Sequence, residues 1–126
     1  MTDIAEKVAS DAYAKMLGIT IDKVSDNYAS CSIIITEAMI NFLGVVHGGL
    51  IFSLADVAFS AAGNSTHMPS YALDISGSFL RTAQVGDLIR AEADLIHSTR
   101  RTGVYRMRVF HEQDLLATFI GTVFRK

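Results

Sequence analysis

From Gly48 to Ser65 apolar residues fill every side of a helical wheel, interrupted at Ser53, Asp56, Ser60 and Gly63. The run is too short and too polar for a membrane span. It predicts a helix over residues 48–64, buried all round. After Pro69 the period changes to two. Residues 71–79 set Tyr71, Leu73, Ile75 and Phe79 against Asp74, Ser76 and Ser78. Residues 88–96, 103–110 and 115–124 alternate likewise, the last with Leu115, Ala117, Phe119, Gly121 and Val123 on one side. Such alternation predicts half-buried strands. Upstream, residues 19–24 and 28–35 predict two strands about an Asp26-Asn27 turn. Residues 3–17 predict an amphipathic helix stopped by Gly18, and residues 36–40 a connector of one turn.

Short turns at 84–87, 98–102 and 112–114 make the last four strands an antiparallel meander. The apolar face of the resulting six-stranded sheet needs a cover, and only the central helix is apolar enough to supply it. The expected fold is therefore α+β: a curved antiparallel sheet wrapped around one long central helix, plus an N-terminal helix. Apolar helix surface that one sheet cannot cover calls for a second subunit.

The length of 126 residues implies one domain over 1–126. Half of the residues are apolar, which excludes a disordered chain. The net charge of −2 gives no case for nucleic acid or an anionic membrane as partner. A single cysteine, Cys31, excludes an internal disulfide and fits a reducing compartment. The N-terminus has early acids and no long apolar stretch, unlike a secretory signal. A cytoplasmic protein is expected.

Candidate chemistry gathers at the central helix. Val46-His47-Gly48-Gly49 opens it. First-turn N–H groups lack intrahelical acceptors and carry partial positive charge. Paired glycines let a ligand approach them, so a carbonyl placed there would be polarised; alternatively they permit tight packing. Asp56 is the only acid between Gly48 and Ser65. A buried carboxylate needs a reason, either catalysis or a bridge at a subunit interface. It lies about 12 Å along the axis from Gly48, too far for both to grip one carbonyl within one chain. Two antiparallel helices across a dyad would bring Asp56 of one copy to Gly48 of the other. Gly49, Phe52, Ser53, Phe59, Ser60 and Gly63 are expected on the Asp56 face.

Asn41 could orient a water or simply cap a turn, and His47 could be a base or a brace. His67, His97 and His111 read as solvated. No spacing resembles a metal site, and Cys31 reads as a core residue. Arg81 and the Arg100-Arg101 turn could meet phosphates or be solvated surface.

Asn41-x-x-Gly44-x-x-His47-Gly48-Gly49, followed by Asp56, resembles the hallmark of the PaaI-like acyl-CoA thioesterases of the hotdog superfamily. Leu73-Asp74-Ile75 leading to Phe79-Leu80-Arg81 is similar to their third strand. The resemblance implies hydrolysis of a coenzyme A thioester with no metal and no cofactor, coenzyme A being part of the substrate. It implies that Gly48 N–H holds the thioester oxygen and that Asp56 of a facing subunit is general base or nucleophile. Asn41 and His47 would arrange the loop, water or carbonyl. Arg81, Arg100 and Arg101 would meet the nucleotide end of coenzyme A. Gly49, Phe52 and Phe59 would border an aromatic or medium-chain acyl group. A homodimer with composite sites, doubled to a homotetramer, is expected. The chain departs from the family's pattern at Ala72, where relatives often carry a Thr or Ser hydroxyl that helps hold the attacking water; Asn64 or Ser65 is the candidate to replace it. The alternatives are a non-catalytic acyl-CoA-binding or oligomeric hotdog module, and a hydroxyacyl-thioester dehydratase.

Overall fold

The computed structural model describes residues 4–66 and 68–126. Residues 1–3, which include Asp3 at the start of the predicted N-terminal helix, and His67 lie outside them.

The N-terminal segment forms two helices, α1 (Ile4–Ala9) and α2 (Ala12–Leu17), in place of the one predicted. Ser10 and Asp11 make the break. Ser10 Oγ donates to Lys7 O at 2.6 Å, and Asp11 Oδ1 accepts from Tyr13 N at 2.9 Å and Ala14 N at 3.1 Å. Short polar side chains that bond nearby backbone compete with the helix and favour its caps. Gly18 ends α2 at φ 85°, its N–H donating to Ala14 O and Lys15 O, as the stop signal predicts.

Strands β1 (Thr20–Ser25) and β2 (Tyr28–Ile34) form a hairpin, with Asn27 in the left-handed region at φ 60°. A 3₁₀ turn (Glu37–Met39) leads to helix α3 (Gly48–Gly63). Strands β3 (Ser70–Phe79), β4 (Leu88–Ser98), β5 (Thr102–His111) and β6 (Asp114–Arg125) follow. One six-stranded sheet has the order β1-β2-β4-β5-β6-β3, and its neighbours are antiparallel.

The predicted four-strand meander holds only for β4, β5 and β6. β3 lies at the far edge, against β6. Residues 80–87 cross the end of the sheet instead of turning back on β3. Along this path Leu80 and Arg81 N–H donate to Leu116 O, Ala83 O accepts from Val46 N–H, and Gly86 N–H donates to Ile35 O. Alternation marks the two faces of a strand but not its neighbour.

Two bulges also change which side chains face inward. Ala72 pairs with Val123, and Asp74 with Thr122, so Leu73 is the extra residue. Opposed residues share a face. Ala72, Ile75, Gly77 and Phe79 therefore lie on the α3 side, while Tyr71 goes with Phe124 on the other. Near the start of β6 the register shifts between Val109 and Phe110, and Leu116, not Leu115, is buried. Two further shifts fall between Ile21 and Lys23 and between Leu95 and His97. Along β4 and β5 up to these points the alternation holds: Ile89, Ala91, Ala93, Tyr105, Met107 and Val109 are fully buried. On the opposite face Arg106 pairs with Asp94 at 3.2 Å and Arg108 with Glu92 at 3.0 Å.

α3 crosses this inner face and buries Leu50, Ile51, Leu54, Ala55, Ala58, Phe59 and Ala62. It is not buried all round. Gly49, Phe52 and Ser60 are exposed, and Ser53 and Asp56 half-buried, forming one stripe that the sheet leaves largely open. Phe59 and Gly63 are off that stripe. The Phe59 ring fills the place of a side chain at Gly121, whose Cβ would sit 2.8 Å from Phe59 Cζ. It meets Tyr105 edge-on at 5.9 Å. Among the described residues no helix is long and apolar enough to cross a membrane.

Gly77 has a similar function on β3. A Cβ there would overlap Thr118 O and the Phe119 ring, which lies across it. Overpacking of this kind costs about 1–3 kcal/mol. Gly77→Ala is expected to lower stability by about that amount, read as a reduced urea midpoint with unchanged slope.

Candidate active site

The loop before α3 is held by Asn41 and by the crossing segment. Asn41 Oδ1 accepts from Leu43 N at 2.9 Å and Val45 N at 3.4 Å. Gly44 sits at φ 83° and donates to Asn41 O at 3.0 Å. Val46 N–H reaches Ala83 O, and His47 N–H reaches Met39 O at 2.8 Å. The Asn41 oxygen is thus fully engaged in shaping the loop. Its Nδ2 has no hydrogen-bond acceptor among the described residues, which leaves an amide donor beside the helix entry.

His47 is the N-cap of α3. Its Nδ1 accepts from Gly49 N at 2.8 Å, which assigns the proton of the neutral ring to Nε2. The Nδ1 lone pair is therefore unavailable as a base. His47 O accepts from Leu50 N at 2.9 Å and Ile51 N at 3.3 Å. Within the first turn these bonds leave Gly48 N–H alone without an acceptor among the described residues. Phe79 lies beside it, 3.5 Å from where a Gly48 Cβ would be. Phe119 meets Phe52 edge-on at 5.7 Å and Phe79 at 5.5 Å. The free donor therefore opens beside an aromatic wall.

Asp56 is two turns further along the same stripe, about 12 Å by helix rise. It has no hydrogen bond and no cation partner among the described residues. Burial raises its pKa above the ordinary carboxylate value, and the charge of Asp11 raises it further. The start of α2 is tied to α3 there, where Tyr13 Oη and Ser53 Oγ are 2.9 Å apart. An unengaged carboxylate and an unengaged N–H thus share one exposed side of one helix.

Other predicted residues are placed as follows. Phe52 belongs to the wall near Gly48, whereas Phe59 is enclosed between helix and sheet. Ala72 is exposed on the inner face of edge strand β3. Neither Asn64 nor Ser65 has a free group to replace its missing hydroxyl. Asn64 donates to Ser60 O and Ser70 O and accepts from Ser70 N. Ser65 donates to Ala62 O and accepts from Asn27 N. Arg81 pairs with Asp114 at 3.6 Å, at the start of β6. Arg100 and Arg101 lie in the β4–β5 turn at the other end of β6, where Arg125 N–H donates to Arg101 O. One chain therefore does not bring the three arginines together.

Among the described residues no cluster of three or more His, Cys, Asp or Glu could hold a metal. Cys31 is buried and donates to Leu54 O at 3.3 Å. Burial pushes its thiol up to about 12, which leaves it an unreactive core residue. His111 approaches Asp87 at 3.6 Å, away from α3. The sequence reading missed Asp11 and Tyr13, though the Ser10-Asp11 pair carried a cap signal.

The chain belongs to the thioesterase superfamily, whose family model matches residues 43–118. Its architecture is the hotdog fold, and within the superfamily it falls with the PaaI-like proteins. The acyl-coenzyme A thioesterase PaaI of Escherichia coli (strain K12) is 37% identical over 113 residues, covering 89% of this chain and 81% of that protein. A putative esterase of Deinococcus radiodurans is 38% identical over 117 residues, covering 91% and 80%. Among solved structures, the E. coli PaaI protein from the phenylacetic acid degradation operon superposes with a TM-score of 0.92. It is 35% identical, with 98% of this chain and 94% of that one covered.

Proposed function

We propose that this protein hydrolyses acyl-CoA thioesters at sites shared between two copies of the chain. The observation that carries the reading is the pair of unengaged groups on the α3 stripe, Gly48 N–H and the Asp56 carboxyl. A helix N-terminus with one free donor suits a carbonyl oxygen that gains negative charge. A carboxylate with no structural partner suits proton abstraction or nucleophilic attack.

The second copy is supported by what one chain leaves uncovered. Edge strand β3 exposes Leu73 (60%) and Phe79 (55%), the latter beside the start of α3, and Phe42 at the loop tip is 96% exposed. Apolar strand edges pair with other chains. If two α3 helices pack antiparallel with the dyad at Phe52, Gly48 faces the partner subunit's Asp56. The carbonyl then accepts from Gly48 N–H. The partner's Asp56 takes a proton from water as the water oxygen bonds to the carbonyl carbon. The C–S bond breaks, and the thiolate of coenzyme A leaves and is protonated. Attack by the carboxylate itself, through an anhydride, uses the same geometry. Nδ2 of Asn41 is available to orient water or carbonyl, and His47 holds the donor in place. A homotetramer would cover further α3 surface. The dehydratase reading needs an active histidine, and the Nδ1 of His47 is occupied.

A panel of acyl-CoAs assayed for free-thiol release tests the reading. Turnover is expected for at least one aromatic or medium-chain thioester. Tight binding without thiol release would instead identify a binding module.

A further inference from the structure

Helix α1, the C-terminal half of α3 and the approach to β3 border an open-sided cavity of about 620 Å³. Its apolar wall comes from Ile4 and Val8 of α1, Val57 of α3, and Pro69 and Tyr71. Lys7, Ser10 and Asp11 line its helical rim, and Ser60 the α3 side. Ser60 is one turn beyond Asp56 on the same stripe, and the charge of Asp11 is felt at Asp56. The cavity therefore opens about one helical turn along α3 from the carboxylate to which the function proposed above assigns the reaction. It continues along α3 to Asn64, whose amide is engaged with Ser60 and Ser70. That leaves mainly apolar surface to a ligand. Clefts of about 300–1,000 Å³ lined this way take drug-sized, mostly apolar groups.

We propose that this cavity holds the acyl group of the thioester, and that α1 is the wall which selects acyl groups longer than acetyl. The inference rests on the thioesterase reading of Asp56. It places the acyl group beyond Asp56, at the far end of the helix from the Phe52 wall and away from Phe59. Coenzyme A departs from the other side, toward the Gly48 of the facing copy.

The test compares kcat/KM for acetyl-, octanoyl- and phenylacetyl-CoA in the parent, Val8→Trp and Ile4→Trp. A bulky ring in the wall is expected to lower the octanoyl-to-acetyl or phenylacetyl-to-acetyl ratio by about 10-fold or more, as for other apolar pockets. Which ratio falls tells a chain from a ring. Both ratios staying at parental values in folded variants overturns the proposal. A second measurement needs no turnover. The chain has no tryptophan, so Ile4→Trp in the Asp56→Asn background gives one indole emission from α1. Octanoyl-CoA or phenylacetyl-CoA is expected to shift that emission while coenzyme A alone does not. Responses equal to that of coenzyme A, or none with either thioester, overturn the assignment. If the parent hydrolysed none of the three thioesters, the functional reading would fall, and the emission titration would still decide what the cavity holds.

Discussion

Asp56→Asn is expected to fold and associate as the parent does while losing about 10²–10⁴-fold in kcat, the range carried by a positioned acid–base group. The amide keeps the size of the side chain and removes the charge. Nothing in the protomer depends on that charge, since Asp56 has no hydrogen bond or cation partner among the described residues. Stability gives the control. The folded-state pKa is raised, by burial first and by Asp11 second, so the folded chain holds this proton more tightly than the unfolded one. Its contribution to stability is intact below the ordinary carboxylate value and falls as pH rises toward the raised value. It stays reduced above that. Asp56→Asn lacks this penalty and should melt higher than the parent at neutral pH. The difference should close as pH drops below both values. Thermal unfolding across pH reads the second effect and thiol release the first. Parental turnover by a folded Asp56→Asn protein would remove the carboxylate from the chemistry.

Gly48→Pro is the complementary lesion. Proline at the first helical position lacks only the N–H that the helix does not use. The preceding His47 is already extended, at ψ 134°, as a residue before proline requires. A Cβ at Gly48 meets the Phe79 ring at ordinary contact distance. The helix should survive, and the loss of one oxyanion donor should lower kcat by about 10²–10³-fold. Mixing subunits then tests the shared site. In a heterodimer of Asp56→Asn and Gly48→Pro chains, one site has both lesions and the other has none. Random re-pairing of equal amounts makes half of the dimers mixed, and about a quarter of parental activity should return. No recovery, with mixed dimers demonstrated by mass, would place donor and carboxylate of a working site on the same chain.

The sequence carried the elements and the helix entry well, because both depend on short-range rules. Gly18, the Asp26-Asn27 turn and the start of α3 at Gly48 follow from local backbone chemistry. Strands β4 and β5 show their faces directly in the alternation of Ile89 to Ala93 and Tyr105 to Val109. Long-range choices were not legible. Nothing local to 71–79 states that its neighbour is β6, and the bulge at Leu73 reverses the facing expected for Tyr71. Phe59 was assigned to the Asp56 face by spacing alone, yet the empty place over Gly121 draws it to the sheet. The apolar composition of α3 predicts burial all round, yet one stripe is open, because helix composition does not reveal what covers it. The arginines were grouped by charge, but β6 holds Arg81 and the Arg100-Arg101 turn at its opposite ends.

The cap made by His47 has a chemical consequence for competing ions. A bare helix start offers several N–H groups that can surround the oxygens of a phosphate. Here the imidazole and the carbonyl of one residue have taken the others, and a single peg remains at Gly48. One peg suits one oxygen. Inorganic phosphate should therefore be a poor competitor at this point, and the 10²-fold or greater advantage of a well-placed donor is reserved for a ligand that presents a lone carbonyl.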